Sequence, residues 1–155
     1  MNQESFTQTD NQLSNISFQQ KSTALSLIIT GSATAYYIAN MWPMRPIALA
    51  NDIIPAGYGS LLLTTIFLIV IAEIILQIVL VIGSGSAPEA TAREKMAGLK
   101  ARRNAYGVLA FGALAAIGSV FLEELTPFCT ANLAFMGLAF AENVKFASQL
   151  FYARR

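Results

Sequence analysis

Residues 61–82 read LLLTTIFLIVIAEIILQIVLVI, an apolar run broken by a single carboxylate, Glu73. About 20 such residues in a helix cross about 30 Å of hydrocarbon, so this run predicts a membrane span. A carboxylate near the middle of a bilayer costs roughly 2.5–3.5 kcal/mol on insertion scales and therefore turns to protein, partner or water. The same dipeptide returns in a second apolar stretch: Ala72-Glu73 is matched by Ala141-Glu142.

Working outward, three further stretches have the length of a span. The expected spans are residues 22–41, 57–82, 104–122 and 128–152. The first is diluted by Ser22, Thr23, Ser26, Thr30, Ser32 and Thr34. Hydroxyls can bond their own helix backbone and small residues permit close packing, so it still reads as a span. Composition agrees: 55% of the 155 residues are hydrophobic and only 12% charged, with mean hydropathy +0.53. Soluble domains average about 25% charged residues. The fold expected is all-α: a polytopic membrane protein with four transmembrane helices, preceded by a polar tail over residues 1–21. That tail is rich in Gln, Ser, Thr and Asn, lacks the basic opening of a signal peptide, and holds a sequon at Asn15-Ile16-Ser17 to which we attach no weight.

Basic residues set the orientation. Arg93, Lys95, Lys100, Arg102 and Arg103 lie between the second and third spans, Lys21 precedes the first, and Arg154 and Arg155 follow the last. The other side holds Arg45 with Asp52, Glu123 and Glu124. Both termini are accordingly expected in the cytoplasm. Tyr36, Tyr37, Trp42 and Tyr58 mark the outer interface, and Tyr106 and Tyr152 the inner one. The outer segment 42–56, with Pro43, Pro46 and Pro55, is expected to lie along the interface. On the inner side Ser86 to Glu89 reads as a capping box, with Glu89 and Arg93 four apart, opening a basic amphipathic helix that runs into the third span. Its five cations are a candidate lipid or partner contact, or simply a topology signal on a solvated face.

Aligning residues 21–24 with 102–105 brings Gly31 onto Gly112, and the two Ala-Glu pairs align once a longer outer loop is allowed in the first half. The spans would then form two hairpins in parallel repeat. Glu73 and Gln77 share one face of the second span, and Glu142, Lys145 and Gln149 follow helical spacing down the fourth. We expect these two stripes to be buried against each other, with Lys145 neutralising one of the acids. Such a cluster either fixes helix register or serves as a proton-responsive site. The small-xxx-small pairs Gly31/Ala35, Gly112/Ala116 and Gly137/Ala141 predict close helix packing.

Histidine is absent and Cys129 is the only cysteine, which argues against a metal, haem or other cofactor. Neither a nucleophile–base set nor a phosphate-binding glycine loop is present, so no enzyme activity is expected. A net charge of +1 gives no reason to expect a nucleic-acid partner.

Residues 93–106 (REKMAGLKARRNAY) and 141–155 (AENVKFASQLFYARR) resemble a family of small uncharacterised bacterial four-helix inner-membrane proteins. The resemblance covers mainly the second half of the chain, and the stretch ahead of Arg93 has alanine and threonine where that family is more acidic. It implies the four-helix fold and the bacterial inner membrane, and carries no activity. The expected function is association, as a homo-oligomer or an accessory subunit of a larger membrane complex. The alternative is a small proton-coupled transporter using Glu73 and Glu142.

Overall fold

The computed structural model describes residues 18–84, 91–122 and 125–154, which form a helical bundle with no strand among them. Four long helices, α1 (Phe18–Met41), α3 (Tyr58–Ser84), α4 (Ala92–Ser119) and α5 (Pro127–Arg154), alternate in direction. A 3-10 turn (Trp42–Met44) and the short α2 (Arg45–Asn51) join the first two. The long helices have 24, 27, 28 and 28 residues. At 1.5 Å per residue each is about 36–42 Å long.

Length alone does not make a span. Among the described residues only Tyr58–Ile82 is both long and apolar enough to cross a membrane, with mean hydropathy 2.9. The other three helices are diluted, α1 by hydroxyls, α4 by its basic first half and α5 by Glu142, Asn143, Lys145 and Gln149.

Several boundaries differ from those expected. The first helix starts at Phe18, inside the expected tail. The basic helix does run into the third span as expected, as one continuous helix from Ala92 that ends at Ser119 rather than at 122. Ala97, Ala101 and Ala105, spaced by four, are buried along one edge of its basic half, so the bundle extends the helix well before the apolar residues begin. A capping box opens it at Thr91: the threonine Oγ1 accepts from the Glu94 N–H at 3.2 Å, and Glu94 Oε2 accepts from the Thr91 N–H at 2.8 Å. The box expected at Ser86–Glu89 and the Glu89–Arg93 pair lie outside the described residues. Thr126 opens α5, its Oγ1 accepting from the Cys129 N–H ahead of Pro127 in the first turn.

Principal packing runs α3–α1–α5–α4, which puts α1 and α5 in the middle. The tightest seam is α4 on α5. A Cβ built on Gly112 would stand 2.5 Å from the Gly137 Cα, so the two backbones meet where only glycines fit. Ser119 and Thr130 share a hydrogen bond of 2.8 Å above that point, and Asn104 donates to the Tyr152 hydroxyl below it.

Alongside an aromatic core, hydroxyl residues are buried and many large apolar side chains face outward. Thr23, Ser26, Thr30, Thr34, Thr65 and Ser119 are buried, whereas Leu63, Phe67, Phe111, Leu114 and Phe121 are at least 68% exposed. Buried hydroxyls are satisfied locally: Thr23, Thr30, Thr34 and Thr65 each donate to the carbonyl four residues earlier, at 2.7–2.9 Å.

Candidate functional site

The polar residues of α3 and α5 do not meet in one stripe. Glu73 and Gln77 face α1: Ser26 Oγ donates to Glu73 Oε2 at 2.8 Å, and Gln77 Nε2 donates to Ser22 Oγ at 3.4 Å. Both bonds follow one antiparallel register, since a four-residue step on one helix matches a four-residue step on the other. The hydroxyls that dilute α1 are therefore the partners of the acid and amide on α3. Stripe-on-stripe burial of α3 against α5 is replaced by burial of both helices against α1, because a row of small hydroxyl residues admits a close neighbour on each side.

The other oxygen of Glu73, Oε1, is buried and has no hydrogen-bond partner among the described residues. A buried polar atom left unsatisfied is uncommon and costly, and it marks Glu73 as the chemically exposed member of the set. Lys145 does not reach across to it. Its ammonium pairs with Glu142, three residues earlier on its own helix, and lies 4.4 Å from the Phe146 ring centroid. Glu142 also borders a cleft of about 170 Å³ between α1, α3 and α5, whose walls include Thr30, Thr34, Ile69 and Phe135. Gln149, the last member, lines cavities at the end of the bundle where α1 begins and α5 ends.

Two polar centres were not singled out from sequence. Asn143 of α5 donates to Thr34 Oγ1 at 3.1 Å and to the Ala139 carbonyl at 2.8 Å, and its Oδ1 lies 3.4 Å from the Thr30 hydroxyl, whose proton is engaged by the Ser26 carbonyl. That Oδ1 lies 3.4 Å from where a Cβ on Gly31 would be, an ordinary contact distance that seats the amide against α1.

The second centre is at the loop end. Tyr37 donates to Asn132 Oδ1 at 2.6 Å and shares a 2.9 Å bond with the Tyr58 hydroxyl. Because the Tyr37 proton is engaged by Asn132, Tyr58 is the donor of the shared bond. Asn132 is aimed by its own bond to the Phe128 carbonyl. Phe135 and Phe128 pack on the two tyrosine rings at centroid distances of 4.3 and 4.8 Å. Tyr37 and Tyr58, expected as interface anchors, are instead core residues, at 0% and 3% exposure. Tyr36 and Trp42 remain outside, and Arg45 covers the Trp42 ring at 5.5 Å.

Five cations line α4. None of Arg93, Lys95, Lys100, Arg102 and Arg103 has a carboxylate partner among the described residues; Lys100 lies over the Tyr152 ring at 5.8 Å. Comparison with known proteins gives no match to a family model, a curated protein or a solved structure.

Proposed function

We propose that the chain is a bacterial inner-membrane protein of four crossing helices, both termini cytoplasmic, that works by association, as a homo-oligomer or an accessory subunit. The observation that carries this reading is the surface of α3. Only 11% of its most apolar window is buried, so it is neither the core helix of a soluble domain nor covered by its own chain. Leu63, Phe67, Ile74, Ile78 and Ile82 are at least half exposed along it. Apolar side chains on that scale need lipid or another protein around them. The hydroxyl-lined interior supports the same environment for α1 and α5, where Thr23, Thr30, Thr34 and Asn143 find their hydrogen bonds within the bundle.

Association through the small-residue faces is not what the packing favours. Gly112 and Gly137 are consumed by the α4–α5 crossing. That leaves the apolar outer sides of α3 and α4, the two end helices of the packing order, for a neighbouring subunit. Membership of the bacterial four-helix family that the second half resembles belongs to the same proposal, as does a non-enzymatic role. Two observations favour a second reading, a proton-coupled transporter: Glu73 Oε1, buried without a partner among the described residues, and the cleft bordered by Glu142.

Native mass spectrometry after gentle extraction with lipid tests the proposal. The expected result is an assembly larger than the 16.7 kDa chain. A monomer under every lipid condition overturns association. Substrate-driven proton release that disappears in E73Q and E142Q would then carry the transport reading.

A further inference from the structure

At the end of the bundle where α1 begins and α5 ends lies a cavity of about 350 Å³. Lys95 and Arg102 border it from α4, Gln19 from α1 and Gln149 from α5. Lys95 and Arg102 are seven residues apart, two turns on one face, and Gly98 between them leaves the floor open, with nothing within 4 Å of where its Cβ would be. Glu94 also borders the cavity and brings one negative charge to its edge, with its Oε2 turned to the backbone N–H and the hydroxyl of Thr91.

Two cations without carboxylate partners among the described residues, and two amide side chains around one hollow, suit a ligand with negative charge and several acceptor oxygens. Leu99, which lines the same cavity, is 59% exposed, and Met96 on the same turn of helix is 55% exposed. Apolar side chains beside unpaired cations suit a ligand that joins a phosphate to hydrocarbon.

We propose that this cavity binds a phosphate group, and that its source is the headgroup of an anionic phospholipid of the cytoplasmic leaflet. The inference rests on the membrane reading above and names a ligand for the basic end of the bundle. The cavity is positioned by α1, α4 and α5 together, so it is a site rather than a diffuse patch of charge. Lys95 and Arg102 hold the phosphate oxygens, Gln19 and Gln149 donate from the opposite wall, and Leu99 contacts the upper acyl chain.

The test uses the full-length protein, delipidated in detergent and titrated with phosphatidylglycerol or phosphatidylcholine while bound lipid is counted by native mass spectrometry. Phosphatidylglycerol is expected to bind about tenfold more tightly than phosphatidylcholine. The double variant Lys95→Gln/Arg102→Gln should lose that preference. Arg93→Gln/Arg103→Gln, with the same loss of charge away from the cavity, should keep it.

Equal loss in both double variants, or no preference in the wild type, overturns the site. Inorganic phosphate that displaces phosphatidylglycerol at millimolar concentration would keep the phosphate site and assign it to a soluble source instead. Circular dichroism and elution volume establish that each variant is folded. Carbonate extraction of membranes reports on the membrane reading separately, because an embedded protein stays in the pellet whether or not it selects lipids.

Discussion

Adjacent tyrosines in α1 have opposite roles. Tyr37 is fully buried, links Tyr58 to Asn132, and stacks on Phe135; Tyr36 is 45% exposed and touches none of them. Tyr37→Phe removes the hydroxyl between Tyr58 and Asn132 and leaves the amide oxygen without its donor. Polar contacts between membrane helices average about 0.6 kcal/mol, and an orphaned acceptor adds to that, so a loss of about 1 kcal/mol is expected. Tyr36→Phe should change stability by less than about 0.5 kcal/mol. Thermal unfolding in one detergent, read for both variants, checks the contrast; equal shifts would remove Tyr37 from the core network. The sequence placed both tyrosines at an interface because aromatic content there is a statistical tendency, and helical phase relative to a neighbour is not encoded by residue type. Asn143 reads from sequence only as added polarity beside the Glu142 stripe, because its partner Thr34 is more than a hundred residues away in the chain.

At the scale of the element, the α4–α5 seam depends on two missing side chains. A methyl on Gly112 would sit 2.5 Å from the Gly137 Cα, against backbone that cannot rotate away. Gly112→Ala is therefore expected to force the helices apart at a cost of about 1–3 kcal/mol. Gly107 lies five residues earlier on the same helix with nothing within 4 Å of its Cβ position. Gly107→Ala should be neutral or stabilising by up to about 1 kcal/mol, because alanine is the better helix former. Opposite signs in the unfolding midpoints are the outcome to look for. A loss of stability in both would mean that backbone contact is not what holds the seam. The small-xxx-small spacing flagged Gly112 and Gly137 in advance, since close approach needs small residues whichever helix is the partner. The basic half of α4 was less readable: its cations are conspicuous, whereas the alanine edge that docks it on the bundle is quiet in composition.

For the whole molecule, charge and apolar surface make a directional statement that chemical labelling can check. In a Cys129→Ala background, Asn51→Cys lies in the segment between α1 and α3, and Thr91→Cys at the basic start of α4. If both termini are cytoplasmic, as proposed, a membrane-impermeant maleimide applied to intact spheroplasts labels position 51 and reaches position 91 only after permeabilisation. The reverse pattern inverts the orientation, and labelling of both in intact cells removes the four-span arrangement.

The sequence by itself determined that the chain is helical and that residues 58–82 form a helix apolar enough to span a membrane, because continuous apolarity over that length has few other uses. It also marked Glu73, Gln77, Glu142, Lys145 and Gln149 as the polar residues of the two acid-bearing helices. The pairing of Lys145 with Glu142 is local, three residues apart on one helix. Tertiary structure alone decided what the others meet: Ser26 and Ser22 for the α3 pair, and the cavity at the basic end for Gln149. The physical reason is that helical period says which residues share a face but not which neighbour that face receives. When the surroundings are as apolar as the side chains, hydrophobicity cannot choose the inside. Hydroxyl spacing on α1 and the glycine crossing of α4 with α5 made that choice, through contacts between residues far apart in the chain.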